Sequence, residues 1–310
     1  MAIIPGIYAS QISGHLIFLA AYFAGGSDTA NISGIDKIAF SADTKSTLSA
    51  TLSTARYGPA GAANSGTAAY FAGGHDTANI SGIDKIAFSA DTKSTLAATL
   101  STAREFLAGA ANSGTAAYFA GGDGSVGNIS GIDKIAFSGD TKSTLAATLS
   151  TARTYLAGAA NSGTAAYFAG GYDTAYIAGI DKIAFSGDTK STLSTTLTTA
   201  RGYLAGAANS GTAAYFAGGA GSVGNIAGID KIAFSADTKS TLAATLTTAK
   251  FLLAGAANSG TAAYFAGGYD TANISGIDKI AFSADTKSTL AATLTTARAY
   301  LAGAANSGVI

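Results

Sequence analysis

Thr67-Ala68-Ala69-Tyr70-Phe71-Ala72-Gly73-Gly74 is the stretch on which the reading of this chain turns, because its core recurs. Ala-Ala-Tyr-Phe-Ala-Gly-Gly stands six times, with its tyrosine at Tyr22, Tyr70, Tyr118, Tyr167, Tyr215 and Tyr264. Successive tyrosines are 48, 48, 49, 48 and 49 residues apart. A fixed period of this size marks a repeat architecture, in which each unit buries its faces against its neighbours.

One unit, Tyr57 to Arg104, contains four strand candidates. Ala60 to Ala63 is closed by the turn signal Asn64-Ser65-Gly66, and Thr67 to Ala72 by Gly73-Gly74. Ile83 to Phe88 is followed by the polar run Ser89 to Ser94, and the Thr- and Leu-rich run Leu96 to Thr102 leads to Ala103-Arg104. Four short strands with turn chemistry between them predict an all-β fold and a propeller blade.

The Arg start, the small-residue strand, Tyr-Phe-Ala-Gly-Gly, Ile-Asp-Lys-Ile-Ala-Phe and the Thr-rich return to Ala-Arg resemble a kelch repeat over residues 16–308. The family's tryptophan is missing, with Thr47 and Leu48 in that neighbourhood, and Phe40-Ser41-Ala42 replaces its Tyr-Asp-Pro. The expected fold is a six-bladed propeller with blades 16–56 plus 299–308, 57–104, 105–153, 154–201, 202–250 and 251–298. The C-terminal strand is expected to complete the first blade and close the ring. A stacked β-solenoid is the competing architecture.

Residues 1–15 lie outside the repeat and are uncharged apart from His15. Ile-Ile-Pro-Gly-Ile-Tyr-Ala-Ser-Gln-Ile-Ser-Gly-His resembles the opening of tailed-bacteriophage virion proteins. That resemblance implies a docking arm (Ile3, Ile4, Pro5, Ile7, Tyr8), other virion proteins as partners, a virion location and a homo-oligomer formed through the arm. A cytoplasmic location is the alternative.

Composition narrows the function classes. Charged residues are 12% of the 310, about half the usual share, and the net charge is zero without a basic stripe, so nucleic acid is not an expected partner. There is no cysteine, hence no disulfide or thiolate site. Leu16 to Ala24 is too short to span a bilayer as a helix. The first 36 residues contain no Lys or Arg, so the basic region of a secretory signal is lacking.

Catalysis has little to draw on, with two histidines (His15, His75) and one glutamate (Glu105). Kelch-type copper oxidases need a cysteine cross-linked to tyrosine, which this chain cannot supply. Asp28 with Asn31, or Asp76 with Asn79, offers two oxygens where calcium prefers about 6–8. The chain is therefore read as a non-enzyme without cofactor or metal.

The six copies differ in two places, the loop between second and third strands and the link that follows the arginine. In an up-and-down meander both connections emerge at the same end. The expected binding face is Tyr57, His75, Asp123, Tyr155, Tyr172, Tyr203, Tyr269 and Tyr300, suited to a host glycan or a protein partner. Drift in tolerant loops is the alternative explanation. The functional expectation is a displayed structural or adhesive module of a virion, against an intracellular kelch-type scaffold, a multivalent lectin and a hydrolase. The repeated Asp84-Lys85 and Arg104-type residues are read as structural ion pairs and carbonyl clamps.

Overall fold

Six strands of sequence Ala-Ala-Tyr-Phe-Ala are buried along their whole length, and everything else packs around them. The computed structural model describes residues 19–307. In one unit Ala60–Asn64, Ala68–Ala72, Ile83–Ala87 and Thr92–Thr95 form an antiparallel sheet in that order. The register aligns Ala62, Tyr70, Lys85 and Ser94 in one row, and Gly61, Phe71, Asp84 and Thr95 in the next. Successive side chains alternate between sheet faces, so Tyr70 and Phe71 serve opposite layers.

The expectation of a closed six-bladed kelch-like propeller does not hold. Hydrogen bonding divides the described chain into eight antiparallel sheets of two to four strands, none closed into a barrel. The added sheets arise where Gly-Ser-Val-Gly stands in the loop between second and third strands. Asp123–Gly124 pairs with Gly127–Asn128 and with Arg104–Glu105, and Ala220–Gly221 pairs with Gly224–Asn225. In one four-stranded sheet the two parts of the chain meet, Ala302–Asn306 pairing with Ala20–Ala24, and that sheet ends at the open edge Thr44–Thr47.

The fourth strand also lies earlier than its sequence implies. It is Thr92–Thr95, not Leu96 to Thr102, because the turn Phe88-Ser89-Ala90-Asp91, with Asp91 at φ 51°, reverses the chain just before Thr92. Leu100 then leaves the ladder to bury itself beneath Gly73. Threonine and leucine content suited a strand, but burial of that leucine decided the path.

Between neighbouring four-stranded sheets lie six apolar layers, each pairing the tyrosine face of one sheet with the phenylalanine face of the next. Tyr70 packs with Phe119, and Tyr264 with Phe23. Each layer is latched at its rim. The Tyr70 hydroxyl donates to Asp140 Oδ1 at 2.8 Å, and Lys85 Nζ donates to Asp140 Oδ2 at 2.8 Å while lying 5.4 Å from the Tyr70 ring centre.

A buried ion pair joins each link to the following sheet. Arg56 meets Asp84 at 3.0 Å, the side chains being 1% and 0% exposed, and also donates to the Phe71 carbonyl. Asp84 further accepts from the Ser53 amide and hydroxyl and from the Thr95 hydroxyl. Arg104, Arg153, Arg201 and Arg298 repeat the pairing, and Lys250 substitutes in one unit.

These groups set the pH range of stability. Burial alone would push the Asp181 carboxyl up, but the Ser150 amide, the Thr192 hydroxyl and Arg153 together hold it below the ordinary carboxylate range. A depressed carboxyl stabilises the fold above its unfolded value of about 3.9, and that contribution disappears as pH falls through the folded value. Burial, then the bond to Asp285, raises the Tyr215 hydroxyl to about 12, and burial raises Tyr167 likewise to about 12. A raised phenol stabilises fully below its unfolded value of about 10 and loses that contribution as pH climbs through the folded value. Melting temperature against pH is therefore expected to be flat from about 5 to 9, to fall below about 4, and to fall again between about 10 and 12. A profile still flat at pH about 11 would show that these hydroxyls are not held protonated by the fold.

Candidate functional site

The links after the arginine end at one place. Gly58, Phe106, Tyr155, Tyr203, Leu252 and Tyr300 occupy equivalent positions, and their backbones form a head-to-tail series of hydrogen bonds. Phe106 N–H donates to Gly58 O, Tyr155 to Phe106, Tyr203 to Tyr155, Leu252 to Tyr203, Tyr300 to Leu252, and Gly58 to Tyr300, all at 2.8–3.0 Å. The last bond returns to the first residue.

All six residues adopt left-handed backbone conformation, with φ from 54° at Phe106 to 64° at Gly58. Glycine enters that region without penalty, whereas an L-residue costs about 1–2 kcal/mol there. Five of the six positions nevertheless carry a large side chain. Those side chains line an open depression of about 90 Å³ together with Pro59 and leucines such as Leu107 and Leu156. Tyr155 and Tyr203 stack at 3.8 Å between centroids, Phe106 and Tyr155 at 4.3 Å, and Phe106 and Tyr300 at 5.4 Å. Tyr57, one residue earlier in its link, adds its ring 5.6 Å from Phe106 and 5.4 Å from Tyr300.

A second tier surrounds this mouth. The residue before each ring position pairs through its backbone with the loop between second and third strands: Tyr57 with His75, Glu105 with Asp123, Thr154 with Tyr172, Phe251 with Tyr269. Burial, helped by Tyr203, Tyr300 and Glu105, holds the Tyr155 hydroxyl well above its ordinary range, and burial does the same for Tyr300. The mouth therefore presents protonated phenols at neutral pH.

Of the residues expected from sequence, Tyr57, Tyr155, Tyr203 and Tyr300 meet at the mouth. His75 adjoins it, 5.2 Å from the Tyr57 ring, and Asp123 faces Glu105. Tyr172 packs edge-on against Tyr176, and Tyr269 lies farther out against Phe251 at 36% exposure. Ile3, Ile4, Pro5, Ile7 and Tyr8 lie outside the described residues. Phe106 and Leu252 complete the mouth, and Glu105 stands one residue before Phe106, but none of the three was among the expected binding residues. The available signal was their alignment with Tyr155 and Thr154 within the unit.

A second opening, of about 150 Å³, is lined by Gly, Ala and Ser of the first strands and of the turns that follow them. Its polar groups serve the fold: the Ser113 amide donates to Ser162 Oγ, and the Gly163 amide to Asn112 Oδ1. Among the described residues no group of three or more His, Cys, Asp or Glu could hold a metal ion, and no helix is long and apolar enough to cross a membrane. The kelch and phage-virion resemblances are set aside, since no family model matches the chain and no curated protein matches it.

Proposed function

We propose that this chain is a non-catalytic binding module whose aromatic mouth holds an oligosaccharide. The observation that carries this reading is the retention of Phe106, Tyr155, Tyr203, Leu252 and Tyr300 at left-handed positions, where Gly58 supports the same hydrogen bonding without strain. Backbone strain concentrated in this way points to a use for the side chains. Aromatic faces stack on the C–H faces of sugar rings while phenol hydroxyls bond their oxygens.

The test is ligand binding by Tyr155→Gly and Tyr203→Gly variants. Glycine preserves the backbone bond and relieves the strain, so the melting transition should stay within about 1 kcal/mol of the parent. Affinity for the bound oligosaccharide should fall roughly tenfold or more in each. The chain has no tryptophan, so tyrosine emission and calorimetry report binding directly, with one ligand per chain expected. Undiminished affinity in both variants, or no response to any oligosaccharide in a broad panel, would sink this reading.

A further inference from the structure

The size and lining of the cavity at the mouth narrow what an oligosaccharide can place there. An apolar cavity of about 150 Å³ takes one benzene ring. At about 90 Å³ the depression takes less than a six-membered ring, namely a substituent of a few heavy atoms. The sugar ring that carries the substituent stays outside, against the exposed parts of the aromatic residues.

The lining is of two kinds. Leu107, Leu156, Leu204, Leu253 and Leu301 are 5–6% exposed, whereas Phe106, Tyr155, Tyr203 and Tyr300 are only half-buried. The cavity is therefore apolar where it is farthest from water. The backbone N–H groups of the six ring positions are spent on one another, so donors come from the phenols. Tyr155 and Tyr203 share a hydrogen bond through their side chains. The Tyr300 hydroxyl meets no acceptor among the described residues, Glu105 acting on it only as a nearby charge. A sugar hydroxyl placed among the leucines would leave water without gaining a partner. A deoxy methyl would suit the leucines but leave the Tyr300 donor unused. An acetamido group supplies both a methyl and an accepting carbonyl oxygen.

We propose that the mouth recognises its oligosaccharide through an N-acetyl group, as on an N-acetylhexosamine, with the methyl among the leucines and the carbonyl oxygen accepting from the Tyr300 hydroxyl. The methyl leaves water for apolar surface, and the carbonyl takes up a donor that the fold does not use. This proposal rests on the oligosaccharide reading and specifies its chemistry.

The test compares matched tetrasaccharides of N-acetylglucosamine, N-butyrylglucosamine, glucosamine and glucose on the full chain at neutral pH, by calorimetry. The N-acetyl form is expected to bind at least about tenfold more tightly than each of the others. Glucosamine and glucose lack the carbonyl and the methyl, and the butyryl chain is two methylenes too long for the cavity. The preference over glucose should fall at least about fivefold in Tyr300→Phe, with melting unchanged, because the hydroxyl gives up no hydrogen bond of the fold and Phe106 already supplies that ring at the equivalent position. Equal binding of the four sugars, a butyryl form as tight as the acetyl form, or a preference that Tyr300→Phe leaves intact overturns the acetyl proposal while leaving oligosaccharide binding standing. No binding of any of the four, with none across the broad panel, overturns both.

Discussion

Asp84→Ala is expected to destabilise the chain by about 3–5 kcal/mol, because it strands Arg56 in a place water does not reach. The arginine is 1% exposed, and its other terminal bond, to the Phe71 carbonyl, cannot neutralise it. Three further donors lose their acceptor at once: the Ser53 amide, the Ser53 hydroxyl and the Thr95 hydroxyl. Breaking the pair from one side differs from replacing it. The double variant Arg56→Met/Asp84→Leu removes both charges and fills a similar volume, and should recover most of the loss. Arg56→Lys should be the mildest change, since Lys250 already pairs with Asp278 at 3.2 Å in the corresponding place. Urea midpoints with an unchanged slope would measure all three. A cost for Asp84→Ala no larger than that for Asp76→Ala, whose half-buried carboxylate has no ion-pair partner among the described residues, would show that the pair is not a structural joint.

Much of this architecture was readable from the chain because its determinants are local and repeated. Ala-Ala-Tyr-Phe-Ala is apolar on both faces, which only a strand covered on both sides tolerates, and Gly73-Gly74 closes it with φ of 67° and 99°. The period exposed how many such strands there are. What escaped were features made by distance. Asp140 reads as a turn residue, yet it latches Tyr70 and Lys85, which lie 70 and 55 residues away. The path of Leu96 to Thr102 depended on a pocket under Gly73, which strand propensity does not register. The extra sheets at Asp123–Gly124 and Ala220–Gly221 required seeing that Gly-Ser-Val-Gly can turn a hairpin with Gly127 at φ 106°. At the mouth, tyrosine content gave part of the site away, but Phe106 and Glu105 matter through what stands opposite them. No inspection of one unit supplies that.

Gly158→Ala is expected to prevent the native arrangement or to cost at least the upper end of the usual overpacking range, about 3 kcal/mol. The first strands of successive units approach one another closely, and there their glycines face one another. A Cβ on Gly158 would overlap the Gly109 carbonyl oxygen, one on Gly109 would overlap that of Gly61, and one on Gly61 that of Gly303. The obstacle is backbone, not the movable end of a side chain, so relief requires two strands to separate. Those strands are each hydrogen-bonded to a fully buried neighbour, Ala165–Ala169 in the case of Gly158. Moving them outward would open the apolar layers on both sides, where Tyr118 meets Phe168 and Tyr167 meets Phe216. Gly114→Ala is the matched control. It sits at φ 78° with nothing within 4 Å of its added carbon, so it carries only the left-handed penalty of about 1–2 kcal/mol. Gly158 lies outside that backbone region and carries only the collision. If the two variants melt alike, the first strands are packed more loosely than the glycine contacts imply. If Gly158→Ala fails where Gly114→Ala folds, close backbone approach between successive first strands is a condition of the fold.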